Sequence, residues 1–280
     1  MRVSGATKSL QESAREYERA VLRYVCPIVS AGDGGAESIG SGFLLQIPSA
    51  LILLTASHVL QRAPWDTLQI PAGSRTVPVK GRPFISVQPD AKGDERFGLD
   101  IGFVVLNTNE MLASPSTPVL SIDGLDVGDT PAEQTAYGFA GAPSARNEFR
   151  QGIVDAQGYF YGGRTAERRV YHRLGLSSAT HFVMRFERER MLAENGVVTA
   201  VPKPHGMSGG PVFKLGTFSE IREGAACPRV IAIGIEWNIP SRVLVGVRIG
   251  VALDVIRQLL PHLEHELPEP TFFSGHATLR

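Results

Sequence analysis

The chain has 280 residues, 43% hydrophobic and 20% charged, enough for one large core or two small ones and too apolar for a disordered chain. Lys plus Arg and Asp plus Glu each number 28, and this balance excludes a global electrostatic pull toward nucleic acid or an anionic membrane. The two cysteines, Cys26 and Cys227, form neither a CxxC nor a Cys/His ligand pattern, so free thiols, a reducing compartment and no metal site are expected.

The first 30 residues contain no continuous apolar stretch, so no signal peptide is expected, and the run "ALILLTA" is too short to span a bilayer. A soluble cytoplasmic protein follows. Residues 8–25 place Leu10, Tyr17, Ala20, Val21 and Tyr24 near one helical face, and Ser9 with Glu12 fits a capping box. Short runs such as "GSGFLLQI", "LILLTAS", "IGFVVLN", "TAYGFAG" and "RVIAIGIEW" then alternate with Gly, Pro, Asp and Ser. That spacing predicts an all-β sandwich or barrel, and the absence of βα alternation disfavours a doubly wound sheet. Residues 140–200 are rich in Arg and Glu and read as solvated strands, loops and a short helix; the sharper reading is a basic partner-docking surface. Near the end, Asp254 is expected to cap a helix "VIRQLLPHLEHEL" that Pro261 interrupts, with a loose tail beyond Pro268.

One stretch asks for a chemical explanation. "PHGMSGGPVF", residues 204–213, surrounds Ser208 with three glycines. A serine hydroxyl is a poor nucleophile alone; it needs a base, a group that orients the base, and backbone N–H donors for the oxyanion. "LILLTASHVL" places His58 just past an apolar strand, and "FGLDIGFVVL" places Asp100 just before another. His172, His181 and His262 read as structural or exposed residues, whereas His205 lies beside the glycine turn.

The order His58, Asp100, Ser208 and the three motifs resemble the trypsin-like serine proteases of chymotrypsin fold. "GSGFLLQIPSALILLTASHVL" resembles their first-barrel segment, "DIGFVVL" their catalytic Asp segment, and "HGMSGGPVF" their nucleophile loop. "VIAIGIEWN" and "IGVALDVIRQLL" resemble their closing strands and C-terminal helix, most like the bacterial high-temperature-requirement branch. The likeness runs from about residue 38 to 262. It implies two six-stranded antiparallel β-barrels, flanked by an N-terminal and a C-terminal helix. The divisions expected are a helical extension 1–25, a first barrel 26–135, a second barrel with the C-terminal helix 136–262, and a tail 263–280.

The resemblance further implies roles. Ser208 is the nucleophile, His58 the general base and then acid, and Asp100 the residue that orients His58. The N–H groups of Gly206 and Ser208 form the oxyanion hole. Pocket lining falls to Pro202, His205, Ile235, Glu236, Trp237, Asn238, Gly250 and Ala252. Glu236 facing the pocket would favour a basic substrate residue; otherwise the pocket is of medium size and apolar. The partners expected are a protein or peptide substrate and, for regulation, a protein effector, and the resemblance implies no metal or organic cofactor. In secreted trypsins a new N-terminus pairs with an Asp just before the nucleophile; here Met207 stands there, no Ile-Val-Gly-Gly start is present, and the family's disulfides are missing. These departures fit a bacterial cytosolic type, whose oxyanion loop is held by something else or ordered by a partner. The alternative is a catalytically silent peptide-binding or scaffold module on the same fold.

Overall fold

In a computed structural model, the structure describes residues 10–32, 35–72, 75–86, 99–107, 117–128, 134–144, 147–150, 153–187, 191–192, 198–199 and 201–269. The expected box residue Ser9 and the end of the tail lie outside them.

Eight strands make the first sheet: β1 (Cys26–Gly32), β2 (Gly35–Ile47), β3 (Ala50–Thr55), β4 (Leu68–Ala72), β5 (Arg75–Pro78), β6 (Gly81–Ile85), β7 (Gly102–Leu106) and β8 (Leu120–Ser121). Seven run in the order β5-β4-β1-β2-β3-β7-β6, while β8 pairs in parallel with β2. β5 and β6 stand at opposite ends of this order, yet only Val79 and Lys80 separate them in the chain. The sheet must therefore curl until its two ends meet: the Val79 N–H extends the β4–β5 ladder by donating to the Leu68 carbonyl, and the next residue, Lys80, extends the β6–β7 ladder by accepting the Asn107 N–H. All six residues of β3 are buried, because both faces of this central strand are covered, and its sequence accordingly reads as an unbroken apolar run.

The chain then builds a second sheet from β9 (Thr135–Gly141), β12 (Tyr159–Gly163), β13 (His181–Arg185), β16 (Pro211–Thr217), β17 (Arg229–Asn238) and β18 (Val243–Arg248), in the order β12-β9-β16-β17-β18-β13. An isolated antiparallel bridge between Thr165 and Met184 brings its two ends together. Its interior is aromatic: Tyr137 against Phe182 and Tyr161 against Phe186, each with ring centroids 4.7 Å apart. Two further hairpins, β10 (Asn147–Arg150) with β11 (Ile153–Ala156) and β14 (Met191–Leu192) with β15 (Val198–Thr199), stand outside the main sheets.

The fold is mostly β, as expected, in two curled antiparallel sheets. Six strands hold for the second sheet; the first has eight, because β8 adds a short parallel strand and β5 and β6 complete the curl. The N-terminal helix is present as α1 (Leu10–Leu22). It packs against β9, β12 and the helix at Phe218–Glu223, so the chain's first element covers the second sheet. The C-terminal helix starts earlier than expected, at Ile249, and runs to Leu259 with Arg248 as its N-cap. Asp254 is thus not a cap: it lies inside the helix and pairs with Arg257. Pro261 does interrupt it, and Pro261–Glu266 continues as a 3-10 helix.

Candidate active site

β3 and β7 are antiparallel neighbours with Thr55 opposite Gly102, so the end of one lies beside the start of the other. Ala56 follows β3 and caps α2 (Ser57–Gln61), in which His58 is the second residue. Asp100 sits two residues before β7. This register brings the two side chains together. Asp100 Oδ2 is 2.5 Å from His58 Nδ1, and its Oδ1 accepts the His58 backbone N–H at 3.0 Å. An ionised carboxylate can only accept, so Nδ1 carries the proton and the neutral ring keeps its lone pair on Nε2. The Asp100 side chain is 9% exposed and that of His58 29%: the orienting group is shielded while the ring reaches solvent.

Ser86 braces this pair. Its N–H donates to the Ile101 carbonyl, and its hydroxyl donates to the Leu99 carbonyl while accepting the Ile101 N–H. The Ser57 hydroxyl donates to the Ser86 carbonyl at 3.1 Å, tying α2 to the same point. Both flanks of Asp100 are therefore held.

Ser208 comes from the other sheet, in the loop that enters β16. Gly206 and Gly209 adopt φ of +87° and +88°, a region that glycine enters without the Cβ penalty. A Cβ at Gly209 would lie 2.0 Å from the Ser41 carbonyl oxygen and 2.9 Å from the Ala56 nitrogen, so this loop is pressed against the strand that leads to His58. The Ser41 N–H donates to the Ser208 carbonyl at 2.8 Å. Met207 is fully buried in the aromatic cluster of the second sheet, which explains an apolar residue at that position.

The loop's backbone groups divide into two kinds. The N–H groups of Met207, Gly209 and Gly210 donate to Pro204, Gly234 and Met207 carbonyls, respectively. Those of Gly206 and Ser208 meet no acceptor among the described residues. The peptide carbonyls partnering these two N–H groups are anchored: that of His205 accepts from the Ser144 N–H, and that of Met207 from the Gly210 N–H, each at 2.9 Å. C=O and N–H point in opposite directions across a trans peptide, so each anchor turns its open donor away from it. Two adjacent, preorganised N–H donors beside a serine hydroxyl can stabilise a developing oxyanion. The hydroxyl itself donates to the Ile235 carbonyl at 3.5 Å and makes no hydrogen bond to His58 among the described residues.

The expected lining residues separate. His205 is exposed and its ring meets Trp237 edge-on, centroids 5.9 Å apart; Trp237 also packs against Phe186. The Pro202 carbonyl accepts the Tyr161 hydroxyl at 2.6 Å. Glu236 alternates to the face opposite Trp237, where Asn238 donates to it at 3.0 Å, and burial raises its carboxyl pKa. Gly250 and Ala252 lie in the buried first turns of the C-terminal helix, which packs on β17 and β18. Sequence reasoning missed Ser41, Ser86 and Ser144. The only signal was the Gly-Ser-Gly of residues 40–42, and the Ser41 hydroxyl finds its partners, Gly206 and Ala142, more than 100 residues away.

No family model and no curated protein matches this sequence. Solved structures do match in fold. An inactivated protease paralogue of the scabies mite, S-I1, aligns with TM-score 0.52 and 13% identity over 93% of this chain and 100% of its own. Neuropsin, a serine protease expressed in the limbic system of mouse brain, aligns with TM-score 0.53 and 13% identity over 85% of this chain and 95% of its own. The chain has the fold of the trypsin-like serine proteases.

Proposed function

We propose that the chain is a serine endopeptidase working through an acyl-enzyme, with His58, Asp100 and Ser208 as its triad. The observation that carries this reading is the pair of open N–H groups, Gly206 and Ser208, in the same loop as the hydroxyl and docked against the strand leading to the Asp100-bound imidazole. In the reaction the Ser208 hydroxyl turns from the Ile235 carbonyl to His58 Nε2, which takes its proton as Oγ bonds to the scissile carbonyl carbon. The oxyanion rests on the two N–H groups, and His58 then protonates the leaving amine as the C–N bond breaks. Water repeats the cycle and releases the acid. No metal or organic cofactor enters it.

A peptide substrate is favoured over a small ester by the strand edge at Ile235–Asn238. β17 runs on past Ile233, the last residue paired with β16, and leaves that edge without a strand partner among the described residues. The aromatic environment of Trp237 supports an apolar primary residue, and the position of Glu236 on the other face speaks against an acidic pocket. A cytoplasmic location is supported by the thiols, buried Cys26 and exposed Cys227, which are both free. No described helix is long and apolar enough to cross a membrane.

The silent-module reading is favoured by one observation: the resting hydroxyl is bonded to Ile235 rather than to His58. A fluorophosphonate probe read by intact mass separates the two. One stoichiometric adduct, absent from Ser208→Ala and from heat-denatured protein, is expected; well-folded protein that takes no adduct would overturn the enzyme reading.

A further inference from the structure

We propose that Ser41 is the positioning residue that holds the oxyanion loop in its open form, replacing the buried ion pair for which this chain lacks the acid. This inference rests on the protease reading. Ser41 stands in the middle of β2, is 0% exposed, and belongs to the first sheet, yet three of its hydrogen bonds reach Gly206, Ser208 and Ala142 on the side of the second. Its hydroxyl donates to the Gly206 carbonyl at 2.8 Å and accepts the Ala142 N–H at 2.9 Å. Its N–H donates to the Ser208 carbonyl at 2.8 Å, and its own carbonyl accepts the Thr55 hydroxyl at 2.6 Å. Four hydrogen bonds thus converge on one buried serine.

Their positions along the loop matter. The Gly206–Met207 peptide lies between the two peptides whose N–H groups are open. Ser41 Oγ holds its carbonyl end, and the Met207 N–H is bonded to the Pro204 carbonyl. The Ser208–Gly209 peptide follows the second open donor, and Ser41 N–H holds its carbonyl. Rotating either open donor inward therefore requires turning a neighbouring peptide that Ser41 restrains. Removing the hydroxyl would leave both the Gly206 carbonyl and the buried Ala142 N–H without it, and the loop could then satisfy itself by turning a donor inward. On the far side Met207 anchors the same loop in the aromatic core. A hydroxyl clamp on one side and an apolar anchor on the other leave no need for a new N-terminus or an activating partner.

The test compares fluorophosphonate labelling rates with thermal melts for wild type, Ser41→Ala, Thr55→Val and Ser208→Ala. Thr55→Val removes an equally buried hydrogen bond from Ser41 itself but no bond to the loop. Ser41→Ala is expected to label at least ~30-fold more slowly while still melting cooperatively, with Thr55→Val within about threefold of wild type. A steady-state assay should place the Ser41→Ala loss in kcat rather than KM, because the oxyanion forms after binding. If Ser41→Ala does not fold, Ser41→Cys, similar in size but a weaker donor, decides by slowed or unchanged labelling. A labelled wild type with an equally fast Ser41→Ala, or equal losses in Ser41→Ala and Thr55→Val, would sink the clamp alone. A wild type that takes no label would sink the protease reading and the clamp with it.

Discussion

Asp100 shows how much one side chain does here. Both of its oxygens are used on His58, one on the ring and one on the backbone N–H, so it sets the ring's tautomer and the position of α2 together. Asp100→Asn keeps the shape but offers only one acceptor, and its amide nitrogen can only donate. The ring is then free to present a protonated Nε2 to Ser208, the wrong form for a base. We expect labelling and turnover to fall roughly 10³- to 10⁴-fold with little change in melting temperature. A drop of less than tenfold would show that Asp100 does not orient the base. The types of these residues were readable from the sequence, because apolar strands ending in "TASH" and preceded by "GLD" are local patterns. Ser86 was not, because its role depends on lying against Leu99 and Ile101, which pairing alone accomplishes.

At the scale of elements, the nucleophile loop is a contact surface as well as a turn. Gly209 combines a positive φ with a Cβ direction aimed into the Ser41 carbonyl and the Thr55 hydroxyl, at 2.0 and 2.1 Å. Both neighbours are fully buried, and the nearer atom is backbone, which cannot swing away. Gly209→Ala is therefore expected to destabilise by more than ~3 kcal/mol, or to fold with the loop displaced and labelling lost. Chemical denaturation and labelling together check this; near-normal values in both would mean the loop is not pressed against β2. Strand identities were legible for the same reason that β3 is buried throughout: a central strand needs apolar residues on both faces. The C-terminal helix was legible in kind but not in start: Asp254 has the side chain of a cap, whereas the turn Ile249 to Leu253 before it is apolar throughout and is helical where it packs against β17 and β18.

For the whole molecule, His181 is a buried contributor to the pH dependence of stability. His181 is 4% exposed, and burial, with Arg248 nearby, pushes its imidazole pKa down from 6.5 to about 4. Its Nδ1 is bonded to the Thr180 hydroxyl at 2.8 Å, while its Nε2 has no hydrogen-bond partner among the described residues. Between these two pKa values the unfolded chain binds the proton and the folded protein does not, so stability falls as pH drops from about 6.5 to about 4 and levels off below. The loss is up to about 3 kcal/mol. Unfolding free energies from urea titrations at pH 7 and pH 4.5 should differ less in His181→Gln than in wild type, by about 2 kcal/mol; equal differences would remove His181 as the cause. Chain order, the three motifs, the β class and the absence of a metal pattern were available from the amino-acid sequence, because each is expressed over a few neighbouring residues. The eight-strand curl, the placement of α1 over the second sheet, the face taken by Glu236 and the bonds of Ser41 were not. They depend on which strands pair and in what register, and one residue's slip along β2 would turn Ser41 from the nucleophile loop to the opposite face.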